Sequence, residues 1–142
     1  MVDEQSFLFD FSHVDSFMEQ WNLSFKLSDM NSTNNFELVF CSDSPNNIRE
    51  CLNSGGGINT DTVTFRNGSD VVPCSLKWED NSISIRDNAT WNIGEAEIPL
   101  KSIFLRTTGG YVIGYCINIS EFIVTNKLTF DANTTLWRII DD

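Results

Sequence analysis

Histidine, proline and positive charge are scarce in this sequence of 142 residues. It has one histidine, three prolines and nine lysine and arginine residues against twenty aspartate and glutamate residues, so its formal net charge is −11. Nucleic-acid binding by phosphate neutralisation needs clustered lysine and arginine, and here the basic residues are scattered. The charge argues against a nucleic-acid partner, and it leaves an acidic inhibitor that mimics DNA as an alternative.

Long apolar runs and secretion signals are also missing. No stretch approaches the roughly 18 uninterrupted apolar residues of a membrane-spanning helix. The first residues, MVDEQSFLFDF, begin with acids and lack the basic and apolar regions of a secretory signal. We therefore expect no membrane partner and a protein made in a cytoplasm. Six Asn-x-Ser/Thr triplets are attributed to composition, and one of them, at Asn118, falls inside a predicted strand.

The sequence shows no signature of catalysis or of cofactor or metal binding. Acid–base and nucleophilic mechanisms commonly use histidine, and the single one, His13, lies near the amino terminus. The triple glycine at 55–57 is not followed by the Lys-Ser/Thr of a phosphate loop. The four cysteines are Cys41, Cys51, Cys74 and Cys116. They form no CxxC pair, so we expect reduced structural thiols, with a Cys41–Cys51 bridge as the alternative. The expectation is no enzyme, no cofactor and no metal site.

Apolar and aromatic residues, by contrast, are abundant enough for a folded core. The hydrophobic share is 41%, with eleven phenylalanines and four tryptophans. From Ile98 to Ile140, β-branched and apolar blocks alternate with Gly, Asn and Asp. Two long blocks meet at Thr108-Gly109-Gly110, which predicts a β-hairpin because paired glycines supply the positive φ of tight turns. A second turn is predicted at 124–127.

Other short strands are predicted at 23–28, 36–40, 62–66, 74–79, 82–86 and 90–93, separated by turn residues. Many short strands with such spacing indicate an all-β fold, an antiparallel β-sandwich that is jelly-roll-like or immunoglobulin-like. Short helices are predicted near 13–21 and near 45–53, the second opened by Ser44 and Pro45. The predicted organisation is an amino-terminal arm and short helix over 1–22 and a single β-sandwich domain over 23–142.

Two groups of aromatic residues are candidate contact sites. Phe7, Phe9 and Phe11 alternate in the arm, where they either fill the core or contact a partner subunit. Trp78 and Trp91 lie in neighbouring polar β segments, where they either fill the core or stack a sugar. The second option would make the chain a carbohydrate-binding β-sandwich module of a fibre or adhesin.

The segment from Ala96 to Ile140 carries a resemblance, mainly in the string IFLRTTGGYVIGYCINISEFIVTNKLTFDANTTLWRI. Its hairpin, its VTN turn, the strand around LTF and the final LWRI strand resemble the carboxy-terminal part of small accessory virion proteins of tailed bacteriophages. The resemblance implies a capsid decoration or head-associated protein without catalytic residues. It also implies major capsid or other virion proteins as partners, membership of an oligomer or larger assembly, and location in the virion. The leading expectation is a non-enzymatic structural protein of a phage particle.

Overall fold

Antiparallel strands dominate the structure, a computed structural model that describes residues 9, 11–14, 36–79, 82–120 and 122–138. The strands are β1 (Ser12–His13), β2 (Phe36–Cys41), β3 (Val71–Cys74), β4 (Leu76–Glu79), β5 (Ser82–Ile85), β6 (Ala89–Pro99), β7 (Ser102–Thr107), β8 (Val112–Cys116), β9 (Ile123–Phe130) and β10 (Thr135–Arg138). One short helix, α1, spans Ile48–Cys51. The predicted all-β class is confirmed.

The strands form three sheets in the described part of the chain. The largest has the order β1-β8-β7-β2-β3, the second has the order β10-β5-β4, and β6 pairs with β9 as a two-stranded ribbon. Every strand pair is antiparallel. The predicted two-sheet sandwich thus appears as three separate ladders, because the long β6 and β9 pair only with each other in the described residues.

Strand β2 lies inside the five-stranded sheet and is buried on both faces. Its sequence, FELVFC, lacks the strict alternation of a half-exposed strand, which is expected when both sides are covered. Leu38, Val39 and Phe40 are each at most 1% exposed, although neighbouring residues of a strand point to opposite faces. Other parts of the chain must therefore cover both sides of this sheet.

One face of the sheet is covered by the β6–β9 ribbon. The ring of Phe40 stacks on Trp91 of β6, with centroids 4.4 Å apart and planes 4° apart. Phe40 also meets Phe130 of β9 at 6.2 Å between centroids. Aromatic pairs in these geometries add to the stabilisation from burying their area. This aromatic cluster forms the core between the sheet and the ribbon.

The opposite face is covered by the connection between β2 and β3, residues 42–70. Cys51, Ile58 and Val63 of this connection are buried. On the sheet, Arg106 of β7 stands opposite Glu37 of β2 and holds its guanidinium over the Phe65 ring, 5.8 Å from the centroid. The five-stranded sheet is therefore a central layer with cover on each side.

Several predicted elements differ from the observed ones. The hairpin at 108–110 is confirmed, since β7 pairs with β8 across it. Residues 62–66 form no strand, and 124–127 is not a turn but part of β9. Asn118 follows β8 instead of lying within a strand, with a positive φ of 60°. The predicted strand at 23–28 lies outside the described residues.

The two predicted helices also fare differently. Helix α1 falls within the predicted range, but its N-cap is Asn47, whose side-chain oxygen accepts a hydrogen bond from the Glu50 amide. Near 13–21, Ser12 and His13 form β1 instead, and the remainder lies outside the described residues. The described arm residues Phe9, Phe11 and Val14 are buried in the common core.

The triple glycine forms a hydrogen-bonded turn after α1. The Asn53 side-chain oxygen accepts from the amides of Gly55 at 2.9 Å and Gly57 at 3.0 Å. Gly56 has a φ of +87°, and a Cβ built on it would lie 2.5 Å from the Tyr111 ring. The Gly56 carbonyl accepts from the Val112 amide at 2.9 Å. This turn therefore fits closely against the β7–β8 hairpin and leaves no room for a side chain.

Replacing Gly56→Ala is expected to lower the free energy of unfolding by about 2–4 kcal/mol, because a left-handed φ and a clash with Tyr111 are combined. Urea unfolding measures the loss. The matched control is Gly68→Ala. Gly68 has a similar φ of +84°, but a Cβ built on it meets no atom within 4 Å. Only the conformational cost of about 1–2 kcal/mol therefore applies. Equal losses in the two variants would contradict the close packing of the turn.

All four cysteines are free and buried, and their reduced state stays a prediction. Burial raises the pKa of Cys41 to about 12, and a hydrogen bond with Ser102 acts in the opposite direction. Burial raises the pKa of Cys74 to about 12 and, together with Glu50, that of Cys51 to about 11. Because the thiolate is the reactive species, these thiols are held in their unreactive form.

We expect the thiols of the folded protein to react far more slowly with a disulfide reagent at pH 8 than those of the unfolded chain. The unfolded thiols begin to lose their protons near pH 9 while the folded ones retain theirs, so the free energy of unfolding should also fall as the pH rises from 9 toward 12. The reaction rate is measured from the absorbance of the thiolate that the reagent releases, with and without guanidinium. Rapid labelling of the native protein would refute this expectation.

Candidate functional site

The described phenylalanines of the arm lie inside the core of their own chain. Phe9 and Phe11 are each 6% exposed. The Phe9 ring contacts Phe122 at 5.3 Å and Phe130 at 5.9 Å, and the Phe11 ring contacts Phe130 at 6.2 Å. Of the two options for these residues, core packing is the one observed, and the possible partner contact is corrected for Phe9 and Phe11. Phe7 lies outside the described residues, so its role stays a prediction.

Trp91 is also a core residue and is not available to stack a sugar. It is 1% exposed, and its ring is covered by Phe40. Its indole N–H donates to the Ser69 carbonyl at 3.0 Å and to the Asp70 carboxylate at 3.1 Å. The possible ligand contact is thus corrected to core packing, because the buried ring has no open face for a sugar. Trp78 lies in β4, but its side chain is outside the described part, so its sugar-stacking role stays a prediction.

Asp70 is a buried carboxylate with a full set of hydrogen-bond donors. One oxygen accepts from the Arg66 amide at 2.7 Å, and the other accepts from Arg66 Nη2 at 2.7 Å and Nε at 3.0 Å and from Trp91. The hydrogen bond to Asp70 raises the pKa of Arg66. This network connects the loop before β3 to β6. Both carboxylate oxygens of Asp70 take part in it, which indicates a structural role for this residue and not substrate binding.

Positive and negative side chains are interspersed along the described ranges. The acidic residues there are Glu37, Asp43, Glu50, Asp61, Asp70, Glu79, Asp87, Glu95, Glu97 and Asp131, and the basic ones are Arg49, Arg66, Lys77, Arg86, Lys101, Arg106, Lys127 and Arg138. Two ion pairs, Arg66–Asp70 and Arg106–Glu37, join opposite charges at 2.7 and 2.8 Å. With ten acidic and eight basic residues, this part of the chain is close to charge balance, which does not favour a mimic of DNA.

The β6–β9 ribbon has an apolar inner face and a polar outer face. The inner pairs are Ala89 with Phe130, Trp91 with Leu128 and Ile98 with Val124; the outer pairs are Thr90 with Thr129, Asn92 with Lys127, Glu97 with Thr125 and Pro99 with Ile123. The hydroxyls of Thr90 and Thr129 lie 3.1 Å apart and share a hydrogen bond. The outer face ends in Ile123, which is 59% exposed and is the exposed large hydrophobic residue of the described ranges.

The free edges of the sheets differ in how well they are protected against pairing with another strand. Edge strands commonly carry charges, proline or bulges that prevent such pairing. Strand β6 has two register shifts, at 92–94 and 94–97, with Glu95, Glu97 and Pro99 beside them, and the edge strand β3 contains Pro73. In β9, residues Ile123–Thr125 have neither charge nor proline. This end of β9 is therefore a sheet edge without any of these three protections in the described chain.

The predicted turn at 124–127 hid this surface in the sequence, because it divided β9 into two segments. The signal for a turn was real, since Asn126 has a positive φ of 69°, but β6 accommodates it with a register shift opposite. Within the described ranges, no three histidine, cysteine, aspartate or glutamate side chains are grouped as metal ligands. None of the helices in those ranges has the length and apolar character needed to cross a membrane.

Comparison of the chain with known protein families, with curated proteins and with solved structures finds no match.

Proposed function

We propose that this chain is a non-enzymatic structural protein of a phage particle that acts through protein contacts. In this proposal it is an accessory capsid or head-associated protein, and its partners are the major capsid protein or other virion proteins. The observation that carries the proposal is the unprotected end of β9 with the exposed Ile123. The resemblance of residues 96–140 to small phage virion proteins supports the same role.

The chemistry of the β9 end suits the addition of a strand from a partner protein. A partner strand gains main-chain hydrogen bonds along a free sheet edge, and side chains on alternate positions give specificity. In the described chain, β9 pairs with β6 alone, so its second edge between Ile123 and Lys127 has no strand beside it. Pro99 of β6 pairs with Ile123, so the outer face has a small apolar patch at the same end.

The carbohydrate-binding alternative loses one of its two supporting residues, because Trp91 is buried between Phe40 and Asp70. A contact surface built on β-strand edges needs no such aromatic platform. The protein-contact role therefore has the stronger support from the described surface.

Replacing Ile123→Lys should weaken association with phage particles by about 1–3 kcal/mol, because it puts a charge at the centre of an apolar contact. The measurement is cosedimentation of the purified protein with particles purified from the same source. Thr60→Lys is the matched control, since it adds the same charge at an exposed position of the β2–β3 connection and should bind like the wild type.

Analytical ultracentrifugation of the protein alone gives the second measurement. Association with particles or with itself that is lost in Ile123→Lys supports the proposal. A wild-type protein that stays monomeric at all concentrations and never sediments with particles would rule the proposal out, as would equal binding by the two variants.

A further inference from the structure

An open cleft of about 530 Å³ lies on the described surface. It is lined by Ser42, Asp43, Ser44, Lys101, Asn118, Ile119 and Ser120. These residues come from three loops, which follow β2, precede β7 and follow β8. We propose that this cleft binds a neutral saccharide through Asp43 and Lys101.

The three loops hold the cleft in a fixed shape. Ser44 Oγ accepts from the Asn118 amide at 2.5 Å and donates to Asn118 Oδ1 at 3.2 Å. Ser102 Oγ donates to the Asp43 carbonyl at 2.6 Å, and the Ile119 amide donates to the Lys101 carbonyl at 3.0 Å. The walls are thus tied to one another before any ligand arrives, which lowers the entropic cost of binding.

Four polar side chains of the cleft are not used by these ties. Among the described residues, the Asp43 carboxylate, the Lys101 ammonium and the hydroxyls of Ser42 and Ser120 make no hydrogen bond or ion pair. Asp43, Lys101 and Ser42 are also partly buried. A fixed wall therefore presents one acceptor, one donor and two hydroxyls to the same space.

The charges of the cleft select the chemistry of its ligand. An anion is repelled by Asp43 and a cation by Lys101, so a neutral ligand with hydroxyl groups matches both. A sugar hydroxyl donates to the carboxylate and accepts from the ammonium, and bonds to charged groups are the stronger kind. Half-buried Ile119 adds an apolar contact for the C–H face of a sugar ring.

The size of the cleft favours a saccharide over a small zwitterion as its ligand. Ligand sites commonly have volumes of about 300–1,000 Å³, and 530 Å³ lies within that range. A free amino acid matches the two charges but carries no further polar groups for the hydroxyls of Ser42 and Ser120. A mono- or disaccharide carries enough hydroxyl groups to pair with all four unpaired groups, which favours this class of ligand.

The test is titration of the isotope-labelled protein with named sugars, followed by backbone amide NMR. The probes are glucose, galactose, N-acetylglucosamine, maltose and lactose, with glycerol, glycine and phosphate as comparison solutes. At least one sugar should produce saturable shifts at the amides of Lys101, Ile119 and Ser120. No saturable shift from any sugar, or equal shifts from glycerol, glycine or phosphate, would overturn the proposal.

Variants locate the binding groups. Asp43→Ala and Lys101→Met should each weaken sugar binding about tenfold or more, as expected for the loss of a hydrogen bond to a charged group. Asp61→Ala and Lys127→Met remove the same charges outside the cleft and should bind like the wild type. A loss of the same size in the control variants would overturn the assignment to this cleft.

Discussion

Burial of both faces of the five-stranded sheet is the constraint on which the rest of the structure depends. A strand such as β2, with Leu38 and Val39 fully buried on opposite sides, is stable only if two other layers remove its apolar area from water. The β6–β9 ribbon provides one layer and the β2–β3 connection provides the other. The stacked rings of Phe40 and Trp91 and the buried thiols of Cys41 and Cys51 occupy these two interfaces.

This arrangement decides which residues remain for contact with other molecules. Three aromatic residues that were candidates for binding are buried in the core, namely Phe9, Phe11 and Trp91. Polar and β-branched residues are left on the outside, on the outer face of the ribbon and around the cleft. The two proposed surfaces are consequently wet and modest in apolar area, a composition typical of non-obligate protein interfaces.

The all-β class and the β7–β8 hairpin could be predicted because they depend on local signals, namely residue patterns and paired glycines. Residues 62–66 misled the prediction, since their alternation resembles a strand. There the amides of Thr62 and Val63 instead bond to the Asn59 carbonyl, and the Thr62 hydroxyl bonds to the Glu50 carbonyl at 2.7 Å. The backbone groups of Thr62 and Val63 therefore form hydrogen bonds within the β2–β3 connection and not with a neighbouring strand.

The cleft could not be predicted because its parts are distant in the sequence. Asp43 lies in the loop after β2, and Asn118 lies in the loop after β8. The pairing of β2 with β7 and of β7 with β8 brings these loops together. Likewise, no local pattern marks Asp70 as buried, since aspartate is common in exposed turns. Its burial follows from the position of Trp91 and Arg66 around it.

Asparagine occupies backbone positions with positive φ at Asn118, Asn126 and Asn133, where glycine is the usual residue. At two of them the amide side chain also reaches a distant element: Asn118 bonds with Ser44 and Asn133 accepts from Lys77. A glycine there would satisfy the local geometry and release the long-range tie. At Asn118 and Asn133, one residue thus both adopts the backbone conformation of the turn and forms a hydrogen bond to a segment distant in the sequence. These two turns therefore help to hold the tertiary structure together.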